Sequence, residues 1–157
     1  MPHRQKIAHL VLDGRTLGPR SAQIEHERQV AIYDLIEENY FAPHGDFVGP
    51  YRVRLGAEEA RLSFDVRAED DRELVKIVLP LAPLRRVIRD YFLVCDAYFE
   101  AIKTSSPSRI EAIDMGRRSL HNEGAEILRG RLHEKVEMDA PTSRRLFTLI
   151  CTLHIRG

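Results

Sequence analysis

A chain of 157 residues has the length of one domain, and a single domain over residues 1–157 is expected. Its 24 Lys and Arg balance 24 Asp and Glu, so no net charge draws it onto nucleic acid or a membrane surface. Two cysteines are too few for a secreted disulfide scaffold. The longest apolar stretch, near Leu146–Ile155, is interrupted by Thr148, Thr152 and His154 and is too short to cross a bilayer. The amino terminus carries basic residues without an apolar segment, so no signal peptide is predicted and a cytoplasmic location is expected.

Ile7–Leu12 reads as a first strand, closed by the turn dipeptide Asp13-Gly14. From about Ser21 the apolar period changes. Ile24, Ala31, Ile32, Leu35, Ile36 and Tyr40 recur at helical spacing, with Glu25, Glu27, Asp34, Glu37 and Glu38 on the wet side. Pro43, Gly45, Gly49 and Pro50 make a loop. Three alternating segments follow, centred on Val53, Phe64 and Ile77, with links short enough for hairpins at Gly56–Ala60 and Ala68–Arg72.

Helices then take over. Pro83 suits a first helical turn, and Leu84, Val87, Ile88, Tyr91, Phe92, Cys95, Tyr98, Phe99 and Ile102 form a broad apolar stripe. Thr104–Pro107 breaks that helix. Another is predicted from about Ser108 to Glu134, with a kink near Asn122–Gly124, and a last one from an N-cap at Asp139 through Leu153. All strands are thereby placed between residues 5 and 80. The fold class is α+β: a small, mostly antiparallel sheet of about four strands in the N-terminal half, packed against about four helices.

No Gly-x-Ser-x-Gly, phosphate-binding glycine loop, Cys-x-x-Cys or His-Glu-x-x-His occurs. Cys151-x-x-His154 is half of a zinc site, but the possible completers His121 and Glu123 are out of register with each other. His133-Glu134 with Glu137 lacks the second histidine of a zincin. Cys95 and Cys151 both sit in apolar runs and read as small buried hydrophobes. Neither a metal nor a cofactor is expected.

The helix after Pro107 is more informative. Its stripe runs Ile110, Ile113, Arg117, Leu120, Gly124, Ile127. Gly124 costs about 1 kcal/mol relative to Ala in a helix interior, so it implies a close-packing partner or a kink. Arg117 either pairs with Asp114, three residues earlier, or faces an anion. Arginine doublets at 85–86, 117–118 and 144–145 add guanidinium groups suited to phosphate or carboxylate. The candidate ligand-binding residues are therefore Arg117, Arg118, His121, Asn122, Glu123, Arg144 and Arg145. An antiparallel return of the last helix sets Arg144 and Arg145 nearer Leu128 than Arg117, which weakens a single four-arginine site.

The stretches Ile110 to Arg118, His121 to Gly124 and Arg144 to His154 resemble a family of uncharacterised alphaproteobacterial proteins with no assigned function. So do Asp90-Tyr91-Phe92 and the early Glu27-Arg28 helix. The resemblance covers nearly the whole chain and implies a bacterial cytosolic protein. It brings no enzyme signature.

The leading expectation is a binding or adaptor protein acting on a protein partner, a second copy of itself in a homodimer, or a small anionic ligand. The alternative is an enzyme for a phosphorylated or other anionic substrate, with His121 as acid or base beside Arg117, Arg118 and Glu123. Balanced charge and the lack of a basic-flanked aromatic platform argue against nucleic acid as a partner. Elemental analysis of the purified protein should find well under one equivalent of zinc. A stoichiometric metal lost in His154→Ala would restore the zinc reading.

Overall fold

The structure, a computed structural model, describes residues 4–13 and 22–153. Gly14 of the predicted turn, Ser21, the side chain of Ile24 and His154 lie outside the described residues. The elements run β1 Ile7–Leu12, α1 Ala22–Glu37, β2 Phe41–Pro43, β3 Tyr51–Glu58, β4 Arg61–Ala68, β5 Glu73–Pro80, α2 Ala82–Thr104, α3 Pro107–Leu132, β6 Val136–Met138 and α4 Ala140–Thr152. A four-stranded sheet of order β1-β3-β4-β5 lies in the N-terminal half; β1 is parallel to β3 and the other pairs are antiparallel. With the four helices this is the expected α+β arrangement.

Alternation builds the sheet. Tyr51, Val53 and Leu55 on β3 and Leu62, Phe64 and Val66 on β4 are buried, while Arg52 and Arg54 face out. The β3–β4 hairpin is tighter than the predicted link. Glu58 pairs with Arg61, and the two turn residues, Glu59 and Ala60, have φ of 51° and 63°. Positive φ at both central residues matches the right-handed twist of the flanking strands.

One expectation is corrected. A second, two-stranded sheet pairs β6 antiparallel with β2, so strand structure extends past residue 80. Each of these strands has three residues, too few for alternation to register. Burial of Phe41, Pro43, Val136 and Met138 holds them.

Asp139 caps α4 as expected, and Ser106, in the stretch read only as a helix break, caps α3. The Asp139 carboxylate accepts from the Thr142 amide at 3.0 Å, and Ser106 from the Arg109 amide at 3.4 Å. The helix α3 runs unbroken through Asn122–Gly124. Gly124 instead has a packing partner: a Cβ there would come within 2.2 Å of the Phe147 ring. Ser143 donates to the Ala125 carbonyl at 2.6 Å, which fixes α4 antiparallel along α3.

Two arginines seat α1 on α4. The guanidinium of Arg28 is buried and donates through Nε to the Thr152 carbonyl at 3.1 Å, with a second nitrogen on the same oxygen. Arg145, near the middle of α4, donates to the Glu38 carbonyl at 2.7 Å, just past the end of α1. Each cation thus meets a carbonyl at the partner helix's C-terminal end, where the helix dipole favours positive charge. Asn39 then ties the end of α1 to β1: its side chain accepts from the Ile7 amide at 2.7 Å and donates to the Ile7 carbonyl at 2.9 Å.

Gly124→Ala should destabilise the protein by about 1–3 kcal/mol in urea unfolding, because overpacking against Phe147 exceeds the gain in helix propensity. In a Phe147→Leu background the same change should be nearly neutral.

Candidate functional site

The apolar stripe of α2 is longer than the core needs. Leu84, Val87 and Ile88 are buried, but from Tyr91 onward most of the stripe is half-buried or exposed. That outer half faces an open cleft of about 810 Å³ between α1 and α2. Val30, Ala31, Glu27 and Asp34 form the α1 wall; Phe92, Cys95, Asp96 and Phe99 form the α2 wall. Thr148, Cys151 and Thr152 of α4 lie between them. Val30 and Phe99 are 45% and 50% exposed, so large apolar surface stands open on both walls.

Arg117 reaches this cleft with its charge already balanced. It donates to Asp114 from Nε at 3.0 Å and from a terminal nitrogen at 2.5 Å, and it stacks 5.4 Å from the Tyr98 ring centroid. Arg117, and then Arg118 at 3.1 Å, hold the Asp114 carboxyl below its ordinary range. The Tyr91 hydroxyl lies within reach of Cys95 and Arg117. Burial raises the Tyr91 hydroxyl and both thiols above their ordinary values. Cys151 is buried as expected, whereas Cys95 is only half-buried and lines the cleft; both are free.

His121 sits behind Tyr91. Its ring packs 5.5 Å from Tyr91 and 5.2 Å from Phe147, edge to face with the latter. Its Nε2 is 2.8 Å from the Thr148 hydroxyl, which gives its own proton to the Arg144 carbonyl at 3.2 Å. The ring nitrogen is therefore the donor. Burial, then Arg117 and Arg144, lower the His121 pKa, so the ring is neutral.

The predicted site residues divide into two groups. Arg117, His121 and Arg144 share the α3–α4 seam, and His121, Arg144 and Arg145 border a separate hollow of about 210 Å³. Arg145 is engaged on the Glu38 carbonyl. Arg118, Asn122 and Glu123 face away: Arg118 pairs with Asp114, Asn122 is exposed, and Glu123 pairs with Arg86 at 2.8 Å. One residue along a helix is about 100° around it, which separates each doublet. Sequence reasoning placed Phe92 and Phe99 on the apolar stripe of α2 and left Val30 unassigned. The available signal was an α2 stripe too long to be covered by a single helix partner. Among the described residues no cluster of His, Cys, Asp or Glu could hold a metal ion, and no helix is long and apolar enough to cross a membrane.

The model of an uncharacterised protein family, UPF0262, matches residues 4–156. The chain belongs to that family. A UPF0262 protein of Paramagnetospirillum magneticum is 59% identical over the full length of both chains. Another from Erythrobacter litoralis is 53% identical, covering 98% of this chain and 99% of its own, and one from Nitrobacter hamburgensis is 50% identical over 98% and 94%. These are alphaproteobacterial proteins, and the family has no assigned function. No solved structure matches the chain.

The lowered pKa of His121 has a pH consequence. A histidine harder to protonate when folded leaves the unfolded state binding more protons, so stability rises with pH. The contribution is complete above the ordinary histidine value of 6.5 and is lost as pH falls through the lower folded value. Melting temperatures should therefore drop between pH 7 and 5, and His121→Gln should flatten that slope.

Proposed function

We propose that the protein is a cytoplasmic binding protein that docks a protein partner in the cleft between α1 and α2. The observation that carries this reading is the open apolar surface on both walls, Val30 and Phe99 above all. Burying a side chain of that kind contributes about 1.5–3 kcal/mol, and a contiguous apolar concavity is the usual mark of an interaction site. Arg117, the one arginine lining the cleft among the described residues, is paired with Asp114, and Arg145 caps α1, which favours a partner over a small anion. His121 has a neutral ring held between aromatic neighbours and Thr148, a packing role that favours binding over acid–base chemistry.

A photo-crosslinking amino acid placed at Phe99 and expressed in an alphaproteobacterial host should yield one discrete protein adduct. The same group at Val78, exposed on β5, should yield none. No adduct from position 99, or an equal one from position 78, would reject the cleft.

A further inference from the structure

We infer that the cleft receives a cationic amphipathic helix, with an apolar stripe against the floor and Lys or Arg along both flanks. This deepens the docking reading above and rests on it. Each wall repeats at helical spacing. On α1 the lining positions are Glu27, Val30, Ala31 and Asp34; on α2 they are Phe92, Cys95, Asp96 and Phe99. Both stripes therefore step by three and four residues over seven, about 10 Å of helix at 1.5 Å per residue. Two such ridges with α4 between them form a helical layer with one member missing, and a helix is the element whose ridges fit that spacing.

The walls also set the charge of the occupant. Glu27 and Asp34 stand on one wall and Asp96 on the other, all exposed, and none has an ion-pair partner among the described residues. Glu27 and Asp96 both act electrostatically on the Cys95 thiol, so the carboxylates converge on one cleft from opposite sides. Among the described residues one side chain of fixed positive charge lines the same cleft, Arg117, which Asp114 balances. Apolar inner positions with acidic flanks are the complement of a helix carrying basic residues on either side of an apolar seam. A neutral apolar helix would leave three carboxylates facing a dry seam; an acidic one would meet repulsion on both sides.

The test uses the full-length protein and two synthetic amphipathic helical peptides with one leucine stripe, flanked in one by lysine and in the other by glutamate. Fluorescence anisotropy should give the lysine-flanked peptide a Kd about tenfold lower, since several rim pairs each contribute a modest Coulombic gain. That advantage should shrink as salt rises. In the triple variant Glu27→Lys, Asp34→Lys, Asp96→Lys the preference should invert, with the melting temperature unchanged because all three positions are exposed. Equal binding of both peptides would overturn the charge assignment while leaving docking intact. Binding of neither, with crosslinking at position 99 retained, would show that the occupant is not a helix. Loss of both would remove the docking reading itself. Concentration-dependent self-association abolished by Phe99→Glu would assign the cleft to a second copy and overturn the inference.

Discussion

The cleft exists because two arginines hold α1 where it is. Arg28 and Arg145 reach in opposite directions between α1 and α4, each satisfying carbonyl oxygen at the partner helix's C-terminal end. Helix ends leave such acceptors without intrahelical donors, so the exchange satisfies polar groups that apolar packing alone would strand. Arg28 carries the greater penalty. It is 1% exposed, and one of its nitrogens is buried without a hydrogen bond, 3.6 Å from a Glu25 carboxylate oxygen. A buried guanidinium is tolerated only when charge and hydrogen bonds surround it, so its geometry admits little slack. That constraint places the α1 wall.

The other wall is placed independently. The second half of α2 packs along α3, while α1 packs on α4 and β1. The walls are therefore supported by different neighbours, with α4 as the shared floor. Below the floor, Phe147 fills the space left by Gly124 and contacts both Tyr91 and His121. This aromatic cluster underlies the site. His121, which from sequence pointed to acid–base chemistry, packs into this cluster, and Arg117 pairs with Asp114 beside it.

Much of the fold was legible because local chemistry announced it. Asp139 before Pro141 marked the start of α4, and alternation through Val53 and Phe64 marked the hairpin. The missing pieces were those decided by contacts distant in sequence. Phe41–Pro43 and Val136–Met138 have no strand period of their own and exist through pairing with each other. Arg28 lies among Glu25, His26, Glu27 and Gln29, and a run of polar residues reads as a wet helix face. Nothing local says that the C-terminal end of α4 will cover it. The candidate site was half visible for the same reason. Periodicity marked Tyr91, Phe92 and Phe99 as one apolar face, but periodicity does not say whether a face is covered.

An exposed apolar cleft also carries a standing penalty that constrains what the site can be. Val30 and Phe99 contribute little to the monomer's own stability where they stand, and open apolar surface favours non-specific association. Acidic side chains beside them counter that tendency, because like charge on two approaching cleft rims disfavours a second identical surface. Glu27, Asp34 and Asp96 thus act in two directions. On the docking proposal, they discourage self-association through the cleft mouth and lower the free energy of an occupant carrying opposite charge. A catalytic pocket needs neither arrangement; it needs enclosure and convergent polar groups. The cleft is open along two helices, and its carboxylates stand along the walls at a helical repeat. Both features support the proposal of a docked helix over that of a catalytic pocket.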